Sequence, residues 1–178
     1  MIAPSTKPRP PIEKALSQLA GGASHYYLKS SSIVDTLQHN GRTFYSKFRR
    51  IDAPVNDILI RQHLRREITL ALPLLQDGQG DKLVIEYLGD EPELFIRTLL
   101  RLFRHLQIQE YLLFQGKRPN RRTILLPQEP QELQRLHALG GKLSEMLQTR
   151  LSKSWRILPD IRLPEDYNIF TLPYGYIN

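Results

Sequence analysis

The sequence contains no cysteine among its 178 residues. That absence excludes disulfide bonds, thiol nucleophiles, iron–sulfur clusters and zinc sites built on thiolates. A chain without cysteine is also compatible with a reducing compartment, and residues 1–11 lack the apolar core of a secretory signal. We therefore expect a cytoplasmic protein.

Long apolar runs are missing as well. The longest, residues 68–75, falls far below the roughly 18 residues that a membrane-spanning helix requires. The sequence therefore predicts no membrane-spanning segment and no membrane partner.

Motifs that carry familiar chemistry are also lacking. The sequence has no Walker loop, no Gly-x-Ser-x-Gly elbow and no Gly-x-Gly-x-x-Gly turn. Its five histidines are scattered, without the His-x-x-x-His spacing that places two metal ligands on one helical turn. We expect no metal and no cofactor, and a protein that is not an enzyme is favoured over one that is.

The composition is that of a globular protein, with 40% hydrophobic and 24% charged residues. Four prolines in residues 1–11 predict a flexible proline-rich tail. Residues 12–178 are long enough for one domain with its own core but too short for two. We expect a single α+β domain there.

Hydrophobic periodicity alternates between helical and strand-like segments along this domain. The pattern predicts helices at residues 12–20, 55–66, 93–106 and 131–151, three β-hairpins and two late strands. The hairpins are expected from residues 26–38 with 42–51, 68–75 with 83–88, and 111–114 with 123–126; the late strands are residues 155–158 and 169–172. This order predicts a mixed or mostly antiparallel sheet built from hairpins and packed against about four helices.

Charge is concentrated in two segments of a chain whose net charge is +7. Residues 42–66 carry seven Lys/Arg against two acids, and residues 97–122 carry seven against one. Clustered cations with an interleaved aromatic residue are typical of surfaces that bind single-stranded nucleic acid. The candidate residues, with Tyr45 expected to stack on a base, are Arg42, Tyr45, Lys47, Arg49, Lys117, Arg118, Arg121 and Arg122.

Two other interpretations remain open. The basic surface could instead dock an acidic protein, with the terminal segment around Leu172–Tyr176 adding contacts, in an assembly or regulatory role. Less favoured is a divergent metal-dependent nucleotidyl-transfer enzyme using Glu86 with Asp90, because Asp90 is more simply read as a helix-capping residue. Arg97, Arg101 and Arg104 share one side of the predicted third helix, which makes that side cationic.

Several short motifs follow one another over residues 25–174. They are His25-Tyr26-Tyr27-Leu28-Lys29, Gly41-Arg42-Thr43-Phe44-Tyr45-Ser46-Lys47-Phe48, Asp52-Ala53-Pro54, Glu67-Ile68-Thr69-Leu70-Ala71, Ile85-Glu86-Tyr87-Leu88-Gly89, Trp155-Arg156-Ile157-Leu158-Pro159 and Asn168-Ile169-Phe170-Thr171-Leu172-Pro173-Tyr174. In this order they resemble an uncharacterised conserved-domain family of the epsilon-class proteobacteria. The resemblance implies no established activity.

Through that family the sequence is similar, at the level of the fold, to archaeo-eukaryotic primase-like domains. The family pattern implies an aspartate where this chain has Glu86, and histidines where it has Pro119-Asn120-Arg121-Arg122-Thr123. The departure at both places implies a site that keeps affinity for phosphate and loses catalysis.

Overall fold

The computed structural model describes residues 8–177. The predicted proline-rich tail, residues 1–11, therefore lies mostly outside the described residues. Its last part contacts the opposite end of the chain. The Tyr176 hydroxyl donates a hydrogen bond to the carbonyl of Pro10 at 2.9 Å, and Arg9 donates to the carbonyl of Ile177 at 3.1 Å.

The described residues form four α-helices and eleven strands, which confirms the α+β prediction. The helices are α1 Ile12–Ala20, α2 Asp57–Leu64, α3 Pro92–His105 and α4 Leu133–Gln148. The strands are β1 Tyr26–Lys29, β2 Asp35–His39, β3 Arg42–Ser46, β4 Phe48–Ile51, β5 Leu70–Pro73, β6 Gln79–Tyr87, β7 Leu112–Gln115, β8 Arg122–Glu132, β9 Trp155–Leu158, β10 Ile169–Thr171 and β11 Gly175–Tyr176.

The strands form three sheets in which neighbouring strands run antiparallel. The first sheet has the order β10-β5-β1-β4, the second has the order β11-β7-β8-β6-β9, and β2 pairs only with β3. The two larger sheets pack with α1 and α2 around one core, while α3 and α4 cover the other face of the second sheet and form a second core with it. Strand β6 serves both cores, because Val84 points into the first and Leu83 and Ile85 point into the second.

The first predicted hairpin is confirmed around Asn40-Gly41. These residues have φ values of 49° and 73°, as a tight hairpin turn with two left-handed residues requires. The hairpin is interrupted along its length. Its tip is the β2–β3 pair, and its base is the β1–β4 pair within the first sheet.

The second predicted hairpin is wrong in its pairing. Both arms are strands, but β5 pairs with β1 and β10, whereas β6 pairs with β8 and β9. The chain does reverse at Asp77-Gly78, where one bridge joins Gln76 to Gln79. That reversal carries the chain from one sheet to the other, because the second half of β6 is buried and has strand partners on both of its edges.

The third predicted hairpin and the two late strands are confirmed. Strands β7 and β8 pair from Leu112 opposite Leu125 to Gln115 opposite Arg122. Helix α3 begins with Pro92 at its first turn and buries the predicted stripe that includes Phe95, Leu99 and Phe103. Helix α4 continues without interruption through Gly140-Gly141.

Candidate nucleic-acid interface

Tyr45 lies near the tip of the hairpin with 64% of its surface exposed. Its neighbour Phe44 points to the opposite face of the hairpin, where its ring meets the ring of Tyr167 edge-on at 6.0 Å. The Tyr167 hydroxyl also donates a hydrogen bond to Asp35 at 3.0 Å, and burial together with that hydrogen bond raises the pKa of Tyr167 to about 12. One face of the hairpin is therefore anchored to the short 3₁₀ helix Glu165–Tyr167, and the Tyr45 face is left to solvent.

The cations of the hairpin do not all share the face of Tyr45. Arg42 lies two residues before Phe44 on β3, so the two side chains are on the same, anchored face, where Arg42 is exposed. Lys47 is exposed at the junction between β3 and β4, and Arg49 is exposed on β4 opposite Leu28. Lys47 and Arg49 are therefore exposed between the tip and the base of the hairpin, and Arg49 is on the face of the first sheet that carries Leu28.

Residues 116–121, near the end of the second basic segment, form a loop between β7 and β8; we call this loop the connector. The amide of Gly116 donates to the carbonyl of Arg121, and the amide of Arg121 donates to the carbonyl of Arg118, both at 3.0 Å. A Cβ atom at Gly116 would lie 2.7 Å from Cβ of Arg121, so this tight closure needs glycine. Lys117 and Arg118 are exposed on the connector.

Thr69 contacts both β1 and the connector. Its carbonyl accepts a hydrogen bond from the amide of Lys29 at 3.0 Å, and its hydroxyl accepts one from Nζ of Lys117 at 3.5 Å. Next to Lys29, the amide of Ser30 donates to the carbonyl of Lys47 at 2.6 Å. These contacts bring the connector close to the base of the hairpin; we call the exposed cations of the hairpin and the connector, together with Lys29, the basic interface.

Arg121 and Arg122 point into the fold instead. Arg121 donates to the carbonyl of Leu88. The side chain of Arg122 is only 10% exposed and forms an ion pair with Glu93 at 3.1 Å. It also donates to the carbonyl of Pro119. These two arginines fix the connector against the start of α3 and have little surface left for a ligand.

The structure adds two cations that sequence reasoning missed, Lys29 and Arg66. Lys29 is exposed at the end of β1. Arg66 donates to the carbonyl of Lys117 at 2.8 Å, and its guanidinium lies 5.0 Å from the centre of the Tyr174 ring. Lys29 lies in the first arm of the predicted hairpin, whereas the predicted cations lie in the second, and Arg66 lies at the end of the predicted basic segment 42–66. Arg66 has φ of 65°, and nothing in the sequence signals that geometry.

The ring of Tyr174 is stacked between Arg66 and the buried His63. Its centre lies 4.2 Å from the imidazole centre. His63 accepts at Nδ1 from the amide of Leu70 at 3.1 Å, so its proton is on Nε2, which donates to the carbonyls of Leu172 and Pro173. Burial lowers the pKa of His63, and the neutral imidazole holds the terminal segment against the fold.

That packing bears on the suggested partner role of residues 172–176. Leu172 is 1% exposed, Pro173 is also buried, and the ring of Tyr176 stacks on Phe114 with centres 5.3 Å apart. Much of the apolar surface of this segment is therefore in contact with the rest of the chain and is not exposed to a partner.

The acidic candidates are engaged separately. Glu86 is 9% exposed and forms an ion pair with Arg156, while Asp90 accepts a hydrogen bond from Nδ2 of the Asn120 side chain at 3.3 Å. Across residues 8–177, no three His, Asp or Glu side chains come close enough together to hold a metal ion. No helix in that range is both long and apolar enough to cross a membrane.

Comparison with known proteins finds the domain of unknown function DUF1882 over residues 15–82. This match covers α1 from residue 15 onward, the whole hairpin, α2, β5 and the start of β6, and so includes the first half of the basic interface. No curated protein matches the sequence.

Among solved structures, the chain is similar to the polymerase domain from Mycobacterium tuberculosis ligase D in complex with DNA. The two sequences are 13% identical, and the alignment covers 90% of this chain and 67% of that one with a TM-score of 0.46. A likeness at this level carries no conclusion about what the present chain does.

Proposed function

We propose that this protein binds single-stranded nucleic acid at the basic interface, without catalysing a reaction on it. The observation that supports the proposal is that Lys29 and Lys117 both bond to Thr69, Lys29 through its backbone amide and Lys117 through Nζ. In the proposal, cations that are far apart in sequence meet successive phosphates of one strand there.

The residues of the interface divide into two roles. Lys47, Arg49, Lys117 and Arg118 are exposed and would meet phosphates, with Arg42 reached from the other face of the hairpin. Arg121 and Arg122 would act indirectly by positioning the connector, since their guanidinium groups are hydrogen-bonded within the fold.

Tyr45 favours a single strand over a duplex. A ring that is 64% exposed beside cations offers a stacking platform to an unpaired base, whereas the bases of a duplex already stack on each other. The described contacts contain no set of side chains that would read a base sequence, so we expect binding with little sequence preference.

The non-catalytic part of the proposal rests on the acidic residues. Glu86 is neutralised by Arg156, and Asp90 is engaged by Asn120, so neither offers the uncommitted carboxylate that a catalytic metal would need. The cytoplasmic location and the relation to an epsilonproteobacterial family remain predictions from the sequence.

The test compares two charge-matched variants by fluorescence anisotropy with a labelled single-stranded oligonucleotide. Lys117→Ala/Arg118→Ala removes two exposed cations of the connector, and we expect weaker binding and a salt dependence that is flatter by roughly 0.7 per lost phosphate contact. The control, Lys14→Ala/Arg135→Ala, removes two exposed cations from α1 and α4.

Tyr45→Ala tests stacking separately. We expect a loss of about 1–3 kcal/mol of binding free energy with an unchanged salt slope.

Equal weakening by the connector variant and the control would reject the connector as part of the interface. In a competition experiment, we expect that displacing the labelled oligonucleotide takes more of an acidic polypeptide than of the unlabelled strand. The reverse order would favour an acidic protein partner.

A further inference from the structure

A second concentration of positive charge lies on the helical side of the molecule. A pocket of about 440 Å³ opens between α3 and the end of α4 and is lined by Thr98, Arg101, His105 and Arg150. Arg101 and His105 are one helical turn apart on α3, and Arg150 follows α4. Since α3 and α4 cover the face of the second sheet that is turned away from the first sheet, this pocket is separate from the basic interface.

The groups that line the pocket are three basic side chains and one hydroxyl, with no carboxylate. Among the described residues, neither Arg101 nor Arg150 takes part in an ion pair. The Thr98 hydroxyl donates to the carbonyl of Leu94 at 2.9 Å, which leaves the three basic groups to meet a ligand.

The helix dipoles account for part of this arrangement. His105 lies in the last turn of α3 and Arg150 just beyond α4, where cations are favoured by the partial negative charge of a helix end. Arg101 lies a turn earlier, and the dipole does not explain why its side chain shares one pocket with Arg150. Convergence of two unpaired guanidinium groups from different helices is the arrangement that binds a multivalent oxyanion.

We propose that this pocket binds a phosphate group, either as inorganic phosphate or as a small phosphate monoester. A phosphate monoester carries a charge of about −1.5 to −2 near neutral pH and presents three acceptor oxygens. Arg101 and Arg150 donate to these oxygens through their planar guanidinium groups, and His105 supplies a further N–H donor.

The helix α3 itself provides a matched control for charge. Arg97 and Arg104 are exposed on the same helix but do not line the pocket. The variant Arg101→Ala/Arg150→Ala removes two pocket arginines, and Arg97→Ala/Arg104→Ala removes two arginines outside it. All four side chains are exposed, so we expect both variants to fold.

The experiment is an NMR titration of the ¹⁵N-labelled full chain with inorganic phosphate, against chloride at equal ionic strength. We expect saturable shifts of amides in α3 and at the end of α4 for the parent and for Arg97→Ala/Arg104→Ala, and binding weaker by about tenfold or more for Arg101→Ala/Arg150→Ala. No saturable shift beyond the chloride control, or equal weakening in both variants, would overturn the proposal.

A parallel titration with glycerol 3-phosphate separates the two sources of the phosphate group. Tighter binding than inorganic phosphate identifies an organic monoester as the preferred ligand, and equal binding identifies the phosphate group alone. Because the pocket variants leave the basic interface intact, their affinity for single-stranded nucleic acid is expected to equal that of the parent, which keeps this proposal and the proposed function separately testable.

Discussion

At the scale of single residues, neighbours with the same charge have different roles. Arg118 is exposed on the connector, whereas the side chain of Arg122 is 10% exposed and bonded to Glu93 and to the carbonyl of Pro119. The sequence predicted both as phosphate contacts, because charge and spacing do not reveal which side chains turn inward. The sequence located the basic segments, and the fold determines which of their cations are exposed.

Arg118 and Arg122 give a direct prediction about the free energy of unfolding. Arg122→Ala leaves the carbonyl of Pro119 without its donor and removes the ion pair with Glu93, so we expect a loss of about 1–3 kcal/mol of unfolding free energy. Arg118→Ala is expected to change stability by less than about 0.5 kcal/mol. Urea unfolding of the two variants measures this; equal stability would mean that Arg122 does not hold the connector.

His63 gives a second residue-scale prediction, about pH. Burial lowers its pKa below the ordinary 6.5, and the positive charges of Lys117 and Arg66 act in the same direction. The unfolded chain therefore binds more protons than the folded protein between the lowered pKa and 6.5. Stability is complete above that window and decreases as the pH falls through it.

The measurement is the urea midpoint of the parent and of His63→Gln at about pH 7.5 and about pH 5.5. The parent is expected to lose more stability on acidification than the variant does. The pKa of His25 is also lowered, mainly by burial, but that residue is present in both proteins and does not affect the difference. A variant that loses as much as the parent would show that His63 is not the group responsible.

At the scale of elements, local patterns predicted the helices and strands well, and long-range pairing poorly. The Asn40-Gly41 turn and the apolar stripe of α3 are encoded within a few residues. The partners of β5 and β6 depend on strands up to about a hundred residues away, such as β10, and no local signal specifies them. The adjacent turn at Asp77-Gly78 favours a β5–β6 hairpin, which the fold does not form.

Helix α4 offers an element-scale prediction from its two adjacent glycines. A Cβ at Gly141 meets nothing within 4 Å, so Gly141→Ala should stabilise the protein by up to about 1 kcal/mol through helix propensity. A Cβ at Gly140 would lie 2.9 Å from Cγ2 of Ile157 on β9, so the same change there should be neutral or destabilising. Thermal unfolding distinguishes them, and a gain from Gly140→Ala as large as from Gly141→Ala would contradict the tight contact of α4 with β9.

At the scale of the whole molecule, we propose that residues 12–178 fold as one domain although they contain two cores. Strand β6 contributes to both, so we expect neither core to form alone. The single tryptophan, Trp155, reports on the core beneath α3 and α4, and far-ultraviolet circular dichroism reports on the whole backbone. Coincident denaturant transitions by the two signals are expected, and separated transitions would indicate two independent units.

The fold also shows how the cations are arranged, which the sequence did not. Two cationic segments were evident from the sequence, but the approach of Lys117 to Thr69 depends on the packing of β1, β5 and the connector. The hydrogen bond from Arg66 to the carbonyl of Lys117 follows from the same packing.

The most direct test of the account is the affinity of the unmodified protein for labelled single-stranded DNA and RNA, measured by fluorescence anisotropy at low and at physiological salt. The account predicts submicromolar binding at low salt and a steep loss of affinity as salt increases, with a slope that corresponds to several phosphate contacts. Absence of binding even at low salt would contradict it.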